Sequence, residues 1–508
     1  MKRNHLEEFK NILYGIIIGL LAGTVISVFR LLIVSLMKIM TSIYVKGMHN
    51  LEFLLVALAI NLVIGLLVGL FVKKQPLIKG SGIPQVEGQL LGELDYKWWS
   101  ILWRKFVGGV LAIGSGLYLG REGPSIQLGS TVGQGFSESL KLDETSEKIM
   151  ISSGAAAGLS AAFNAPIAST IFVLEEIYSD FATNIWLVSL TAAISSDMVV
   201  TDVFGLKPVF YMPTSSLPIK YFFWVILFGI ILGILGRLYQ VCTLNIDKLY
   251  RWLFKFPSYL FGVVPLIIVI PLGGFFPGLL GGGNNLILNL SPTKFSLAVL
   301  FLFLVIRFVF SAVSYGSGLP GGIFLPILCL GAVIGAIFGK TLLLLGLLNQ
   351  TYFASFIIMG MAGYFACISK APFTAILLIT EMVGSLNHLL GLATVSLVAY
   401  LVVDLLGGSP IYFAMMENLL PTIKKNLHLA SARAARVILP VFVGSQVDGK
   451  KISNVSWPEG SLLIKIERKG VEIVPNGQIR LKAGDSLDIE IDSEKSKQIN
   501  NDLKLLTK

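Results

Sequence analysis

The stretch GSGLYLGREGPSI, residues 114–126, sets Arg121 and Glu122 side by side among glycines and a proline, inside an otherwise apolar region. A second copy follows. GSGLYLGREGPSIQLGSTVGQGFSESL (114–140) aligns without a gap on GSGLPGGIFLPILCLGAVIGAIFGKTL (316–342), at an offset of 202, with 11 of 27 positions identical. Further on the offset becomes 206: GAAAGLSAAFNAPIASTIFVLEE (154–176) meets GMAGYFACISKAPFTAILLITEM (360–382). Ala165-Pro166 then pairs with Ala371-Pro372, and Glu175 with Glu381. Small residues recur in membrane helices simply because they allow close packing. An ungapped match that keeps both prolines and glycines favours a duplicated transporter core. In such cores, Gly/Pro-interrupted segments at matching places mark the binding site near the midplane. Sequence alone leaves open whether the halves are inverted.

The rest of the chain fits a membrane setting. Of 508 residues, 54% are hydrophobic and 14% charged, and the mean hydropathy is +0.78, a membrane-protein composition. Uncharged runs at 11–29, 53–72, 149–174, 221–236, 256–293, 308–339, 341–369 and 382–403 include several of the ~20 residues that cross a bilayer. The charged start, MKRNHLEEFK, precedes a long apolar run without a small-x-small cleavage site, so it reads as a retained first helix. The net charge of +10 reads as basic loops against anionic lipid, not as a nucleic-acid surface. Cys242, Cys329 and Cys367 show no paired spacing, which points to neither a disulfide framework nor a zinc site.

A helix broken within the membrane leaves N–H groups unsatisfied at its new N-terminus. Those groups and the helix dipole favour an anion. GSGIP (80–84), GREGP (120–124) and GGIFLP (321–326) are three such breaks. No segment gathers carboxylates as a divalent-cation cage would, so a small anion suits them better than a metal. An intramembrane serine protease is disfavoured: His388, in SLNHLLG, is the histidine near an apolar span, and nothing places it beside a serine.

These three breaks, together with the Tyr412 of GGSPIY, occur in order and resemble the four signature segments of the CLC chloride channel and transporter family, over about residues 10–422. The resemblance implies an all-α polytopic membrane protein with a duplicated, inverted-repeat core of broken helices. It implies a homodimer with one ion pathway per subunit, in a bacterial cell membrane, and no enzymatic activity. Carried over residue by residue, it assigns chloride to the Ser81 hydroxyl, the Tyr412 phenol and the backbone N–H groups of Ile323 and Phe324, with Arg121 and Gly123 lining an outer site. Read alone, Ser81 is also a residue of a Gly-rich turn, Tyr412 an interfacial aromatic anchor and Phe324 a packing residue. Glu122 receives the role of gate and proton carrier: a carboxylate there competes with chloride until protonation releases it. The plainer readings are a local salt bridge with Arg121 or a carboxylate near a helix N-terminus. Glu176, the second glutamate of FVLEE, falls on the position that takes protons from the cytoplasm in the family's bacterial exchangers. It reads otherwise as a charged helix end at the interface. An H⁺/Cl⁻ antiporter is the expectation, and a passive voltage- or pH-gated chloride channel of the same fold the alternative.

Near residue 424 the long apolar runs stop. Short alternating segments, VILPVFV, SLLIKIERK, EIVP and SLDIEID, are separated by turn dipeptides such as Asp448-Gly449, Asn476-Gly477 and Gly484-Asp485, the pattern of a small β-rich α+β domain. The expected division is a transport domain over 1–423, a linker over 424–436 and a soluble domain over 437–508. The basic linker, KKNLHLASARAAR, puts this domain in the cytoplasm, and the N-terminus is expected on the same side. The segment from FVGSQVDGK to LKAGDSLDIEID resembles the TrkA-C domain of potassium-conductance regulators. That resemblance implies dimerisation and a small ligand, cyclic di-AMP among them. A passive cap on the dimer is the plainer reading.

Overall fold

A computed structural model describes residues 2–177, 183–206, 208–212, 215–427, 435–442, 444–468, 471–491 and 496–507. The chain divides into two units, Met1–Leu420 and Pro421–Lys508.

The first unit is helical: α1 Lys2–Gly47, α2 Leu51–Lys74, α3 Ile83–Leu90, α4 Trp98–Gly114, α5 Glu122–Leu140, α6 Glu144–Phe163, α7 Pro166–Phe172, α8 Thr183–Phe204, α9 Phe222–Leu253, α10 Val263–Phe275, α11 Asn284–Asn289, α12 Leu297–Gly316, α13 Phe324–Leu344, α14 Phe353–Ser369, α15 Pro372–Val383, α16 Leu389–Leu405 and α17 Ile411–Leu427. Among the described residues, nine helices are long and apolar enough to cross a membrane. The apolar run 11–29 is only part of α1, which continues through Arg30 and Lys38. The run 308–339 is cut by the break between α12 and α13.

Local chemistry sets the breaks. Helix α6 ends on Asn164 and α14 on Lys370, both left-handed, with φ of 54° and 60°. Each is followed by Ala-Pro, and the proline opens the next helix, α7 or α15. A left-handed stop and a proline start turn the chain sharply.

The two halves clasp each other reciprocally. The Gly120 N–H donates to the Gly322 carbonyl, and the Gly322 N–H to the Gly120 carbonyl, both at 2.7 Å. Glu381, at the end of α15, accepts from the N–H groups of Ile167 and Ala168 at the head of α7, at 3.2 and 2.8 Å. Glu175, just after α7, accepts from the N–H groups of Phe373 and Thr374 at the head of α15, at 3.3 and 2.7 Å. Exchanged contacts of this kind define a twofold relation. Each cap joins the tail of one helix to the head of the other, so α7 and α15 run antiparallel and the axis lies across them. The repeats are therefore inverted.

Packing repeats as well. On α5, Gly129 and Gly133 lie against the carbonyls of Gly154 and Met150 on α6; on α13, Gly331 and Gly335 lie against those of Gly360 and Phe356 on α14. A Cβ at any of these glycines would strike that carbonyl, so each helix pair crosses backbone to backbone.

The second unit holds a four-stranded antiparallel sheet in the order β1-β4-β2-β3, formed by β1 Ala435–Pro440, β2 Ser461–Arg468, β3 Val471–Ile473 and β4 Ser486–Ile491. Leu487, Ile489 and Ile491 alternate inward and join Leu439, Ile466, Ile499 and Leu503 in one core. The last two belong to α18, Ser496–Thr507, whose amphipathic face closes the sheet. The expected linker 424–436 begins within α17, and its residues 428–434 lie outside the described residues.

Candidate anion and proton site

Three chain breaks meet at one place. Helix α5 begins at Glu122 and α13 at Phe324, with Ile323 as its cap residue. The Gly120–Gly322 bridge holds these two helix heads together. A Cβ on Gly322 would lie 3.2 Å from the Gly123 nitrogen, and one on Gly123 would strike the Ser81 Oγ. Ser81 precedes Gly82, whose φ of 101° caps α3. Free N–H groups at the heads of α5 and α13 thus converge beside a buried hydroxyl, an arrangement that attracts an anion. Arg121, Glu122, Gly123, Ser81, Ile323 and Phe324 are all in this cluster.

Tyr412, at the start of α17, approaches through aromatic contacts. Its ring stands edge-on to Phe172 at 6.2 Å, and Phe172 lies 5.8 Å from Phe324. Phe324 also packs on Phe163 at 5.0 Å and Phe365 at 4.3 Å. Phe324 therefore packs as well as offering its backbone.

Glu122 is 0% exposed. Its carboxylate faces its own N–H and that of Leu325 at the head of α13. Arg121 is a loose partner, with Nε 3.9 Å from the Glu122 Oε1, while its Nη2 turns to the Ala162 carbonyl at 3.4 Å. Among the described residues, no group completes a hydrogen bond to either Glu122 oxygen, the Ser81 Oγ or the Tyr412 hydroxyl. Buried polar atoms are ordinarily paired, so a cluster of unpaired ones around helix heads marks a place built for a ligand.

Glu176 stands apart from this cluster. It lies on one π turn, Val173–Ile177, that continues α7, and such turns gather at functional sites. It is 8% exposed, and its Oε1 is likewise unpaired among the described residues. Helix α3 packs against this turn and brings a second buried carboxylate, Glu87. Glu175, its neighbour in sequence, is fully used in capping α15.

Sequence reasoning missed two cations that hold the breaks. The Lys105 Nζ donates to the carbonyls of Ile78 and Gly80, at 2.9 and 2.8 Å. Arg307 Nη1 donates to those of Leu279 and Gly281, both at 2.8 Å, and its Nη2 to Gly282. Lys105 and Arg307 sit at the same offset of 202 that relates the two copies. That offset was the available signal: two charges inside apolar helices, one repeat apart. The duplication thus extends upstream, where PLIKGSG (76–82) answers PGLLGGG (277–283).

Two interlocked, inverted helical repeats around paired helix heads define a membrane anion-transport architecture. The chain belongs to the family described as voltage gated chloride channel, whose sequence model matches residues 64–404. A TrkA-C domain matches residues 437–503. Similar curated proteins include the H(+)/Cl(−) exchange transporter ClcA of Vibrio campbellii, 36% identical over 362 residues, covering 68% of this chain and 75% of that protein. That of Vibrio vulnificus strain YJ016 is 34% identical over 419 residues, covering 79% and 88%. Among solved structures, a slow cyanobacterial Cl⁻/H⁺ antiporter is 28% identical with a TM-score of 0.76, covering 81% of this chain and 98% of that one.

Proposed function

We propose that this protein exchanges chloride for protons across a bacterial cell membrane, as a homodimer with both termini in the cytoplasm. The observation that carries the reading is Glu122: a fully buried carboxylate, without a completed hydrogen bond at either oxygen among the described residues, lying over the helix heads that would otherwise take an anion. Ionised, it fills the anion site itself. Protonated, it loses its attraction for the N–H groups and yields to chloride. Ser81, Tyr412 and the N–H groups of Ile323 and Phe324 supply neutral donors, which hold an anion without trapping it; Arg121 and Gly123 line the outer approach. Glu176 hands protons between the cytoplasm and Glu122. In this reading residues 1–423 transport, 424–436 link, and 437–508 form a regulatory domain that takes cyclic di-AMP. The similarity to H⁺/Cl⁻ exchange transporters favours exchange over a passive channel.

The test is parallel chloride and proton flux in proteoliposomes. Wild type should move both. Glu122→Ala should move chloride with no coupled protons and no pH dependence, and Glu176→Gln chloride without protons. Chloride flux with no proton flux in the wild type would establish the channel instead. Calorimetry of the full chain with cyclic di-AMP tests the tail; absence of heat rejects that ligand.

A further inference from the structure

Gln240 lies within α9 and is fully buried. Its amide nitrogen donates to two carbonyls on different segments, Ile368 at the end of α14 and Ser409 between α16 and α17, each at 2.9 Å. Its oxygen accepts from the Arg237 Nη1 at 3.3 Å. Both amide protons are thus committed.

The segment Gly407-Gly408-Ser409-Pro410 is the lead-in to Tyr412, three residues beyond the carbonyl that Gln240 holds. Gly408 lies so close that a Cβ there would sit 2.6 Å from the Gln240 Oε1. The other carbonyl belongs to α14, whose Phe365 packs on Phe324 at the head of α13. One amide therefore ties the segment that carries the phenol to the helix that supports the backbone donors. The spacing between donors decides how well they converge on one ion.

We propose that Gln240 is a positioning residue for chloride: it sets the Tyr412 hydroxyl relative to the N–H groups of Ile323 and Phe324. This rests on the reading of Tyr412 as a chloride donor. Nothing in the motifs pointed to Gln240, which sits far from them in sequence and does not reach the site itself.

The test measures chloride affinity by calorimetry on the purified full chain and the proton-to-chloride ratio in proteoliposomes. Gln240→Met keeps the side-chain length and removes the amide. It should weaken chloride binding about three- to tenfold and lower the proton-to-chloride ratio, at unchanged dimer content. Tyr412→Phe should weaken binding similarly. The double variant should be little worse than either single one, because both act through the same donor. Gly408→Ala, whose Cβ would press on Val403 and the Gln240 oxygen and so part the loop from an unaltered Gln240, should reproduce the loss and serves if Gln240→Met does not fold. Wild-type affinity in Gln240→Met and Gly408→Ala, or fully additive losses in the double variant, would overturn the proposal. Wild-type affinity in Tyr412→Phe overturns both this role and the donor assignment. A wild type that binds chloride but moves no protons removes the exchange reading only, and the affinity arm still decides on Gln240.

Discussion

Glu122 and Phe324 occupy nearly equivalent places in the two repeats, each within the first turn at a helix head, and differ in what their side chains can do. One is a carboxylate over free N–H groups; the other is an aromatic ring packed among Phe163, Phe172 and Phe365. The motif GREGP was legible as a break, and a carboxylate at such a break could be read as a competitor for an anion, with the gate's role assigned by family resemblance. The looseness of the Arg121–Glu122 pair, 3.9 Å, was not legible, because adjacent charges in sequence say nothing of where each side chain turns. At this scale the tail offers a pH prediction. Burial opposes the charge on Asp485, but hydrogen bonds from Arg468 and the Lys482 N–H outweigh it and hold the carboxyl below its ordinary value. Arg468 approaches with Nε and Nη2, both at 2.7 Å. The stabilisation is therefore full above about pH 4, the unfolded carboxylate value, and is lost as pH falls through the lower folded value. Asp485→Asn should remove about 1–2 kcal/mol at neutral pH. Hydrogen exchange at the amides of β2 and β4 should report faster opening.

Among the elements, the Ala-Pro turns and the glycine-rich breaks could be read from sequence, because proline and glycine act locally. The exchange of caps between α7 and α15 could not. Glu175 and Glu381 aligned as a repeat pair, but only the folded chain shows that each serves the other's helix. A carboxylate on helix N-terminal N–H groups is a charge-assisted contact. Glu381→Ala should cost about 2 kcal/mol, lowering the melting temperature in detergent while leaving the proton-to-chloride ratio unchanged. Lys105→Met should cost somewhat more, about 2–3 kcal/mol, since it strands the buried Ile78 carbonyl and leaves that of Gly80 with the Gly321 N–H alone. It should also loosen the loop that carries Ser81, seen as weaker chloride binding. The α+β expectation for the tail did not say where its helix lies: the apolar residues of α18 are few, and the sheet it covers supplies the reason for it to fold.

For the molecule as a whole, the division into membrane core and small β domain was readable from composition, since the two solvents demand different patterns. The inversion of the repeats was expected only through the family resemblance, because a twofold axis is a property of contacts. The Met1–Leu420 unit has its own continuous core. A chain ending after Leu427 should therefore fold and carry chloride flux in proteoliposomes, and its loss would tie transport to the tail.

The mutual grip of Gly120 and Gly322 bears on how anything at this place can move. With both amides engaged across the repeats, the backbone beside Glu122 is pinned on its N-terminal side, and α5 fixes the other. In the proposed exchange, displacement of the carboxylate is then left to the side chain's own torsions, swinging on a fixed pivot. A lever that short would let the proposed exchange run without any sliding of helices.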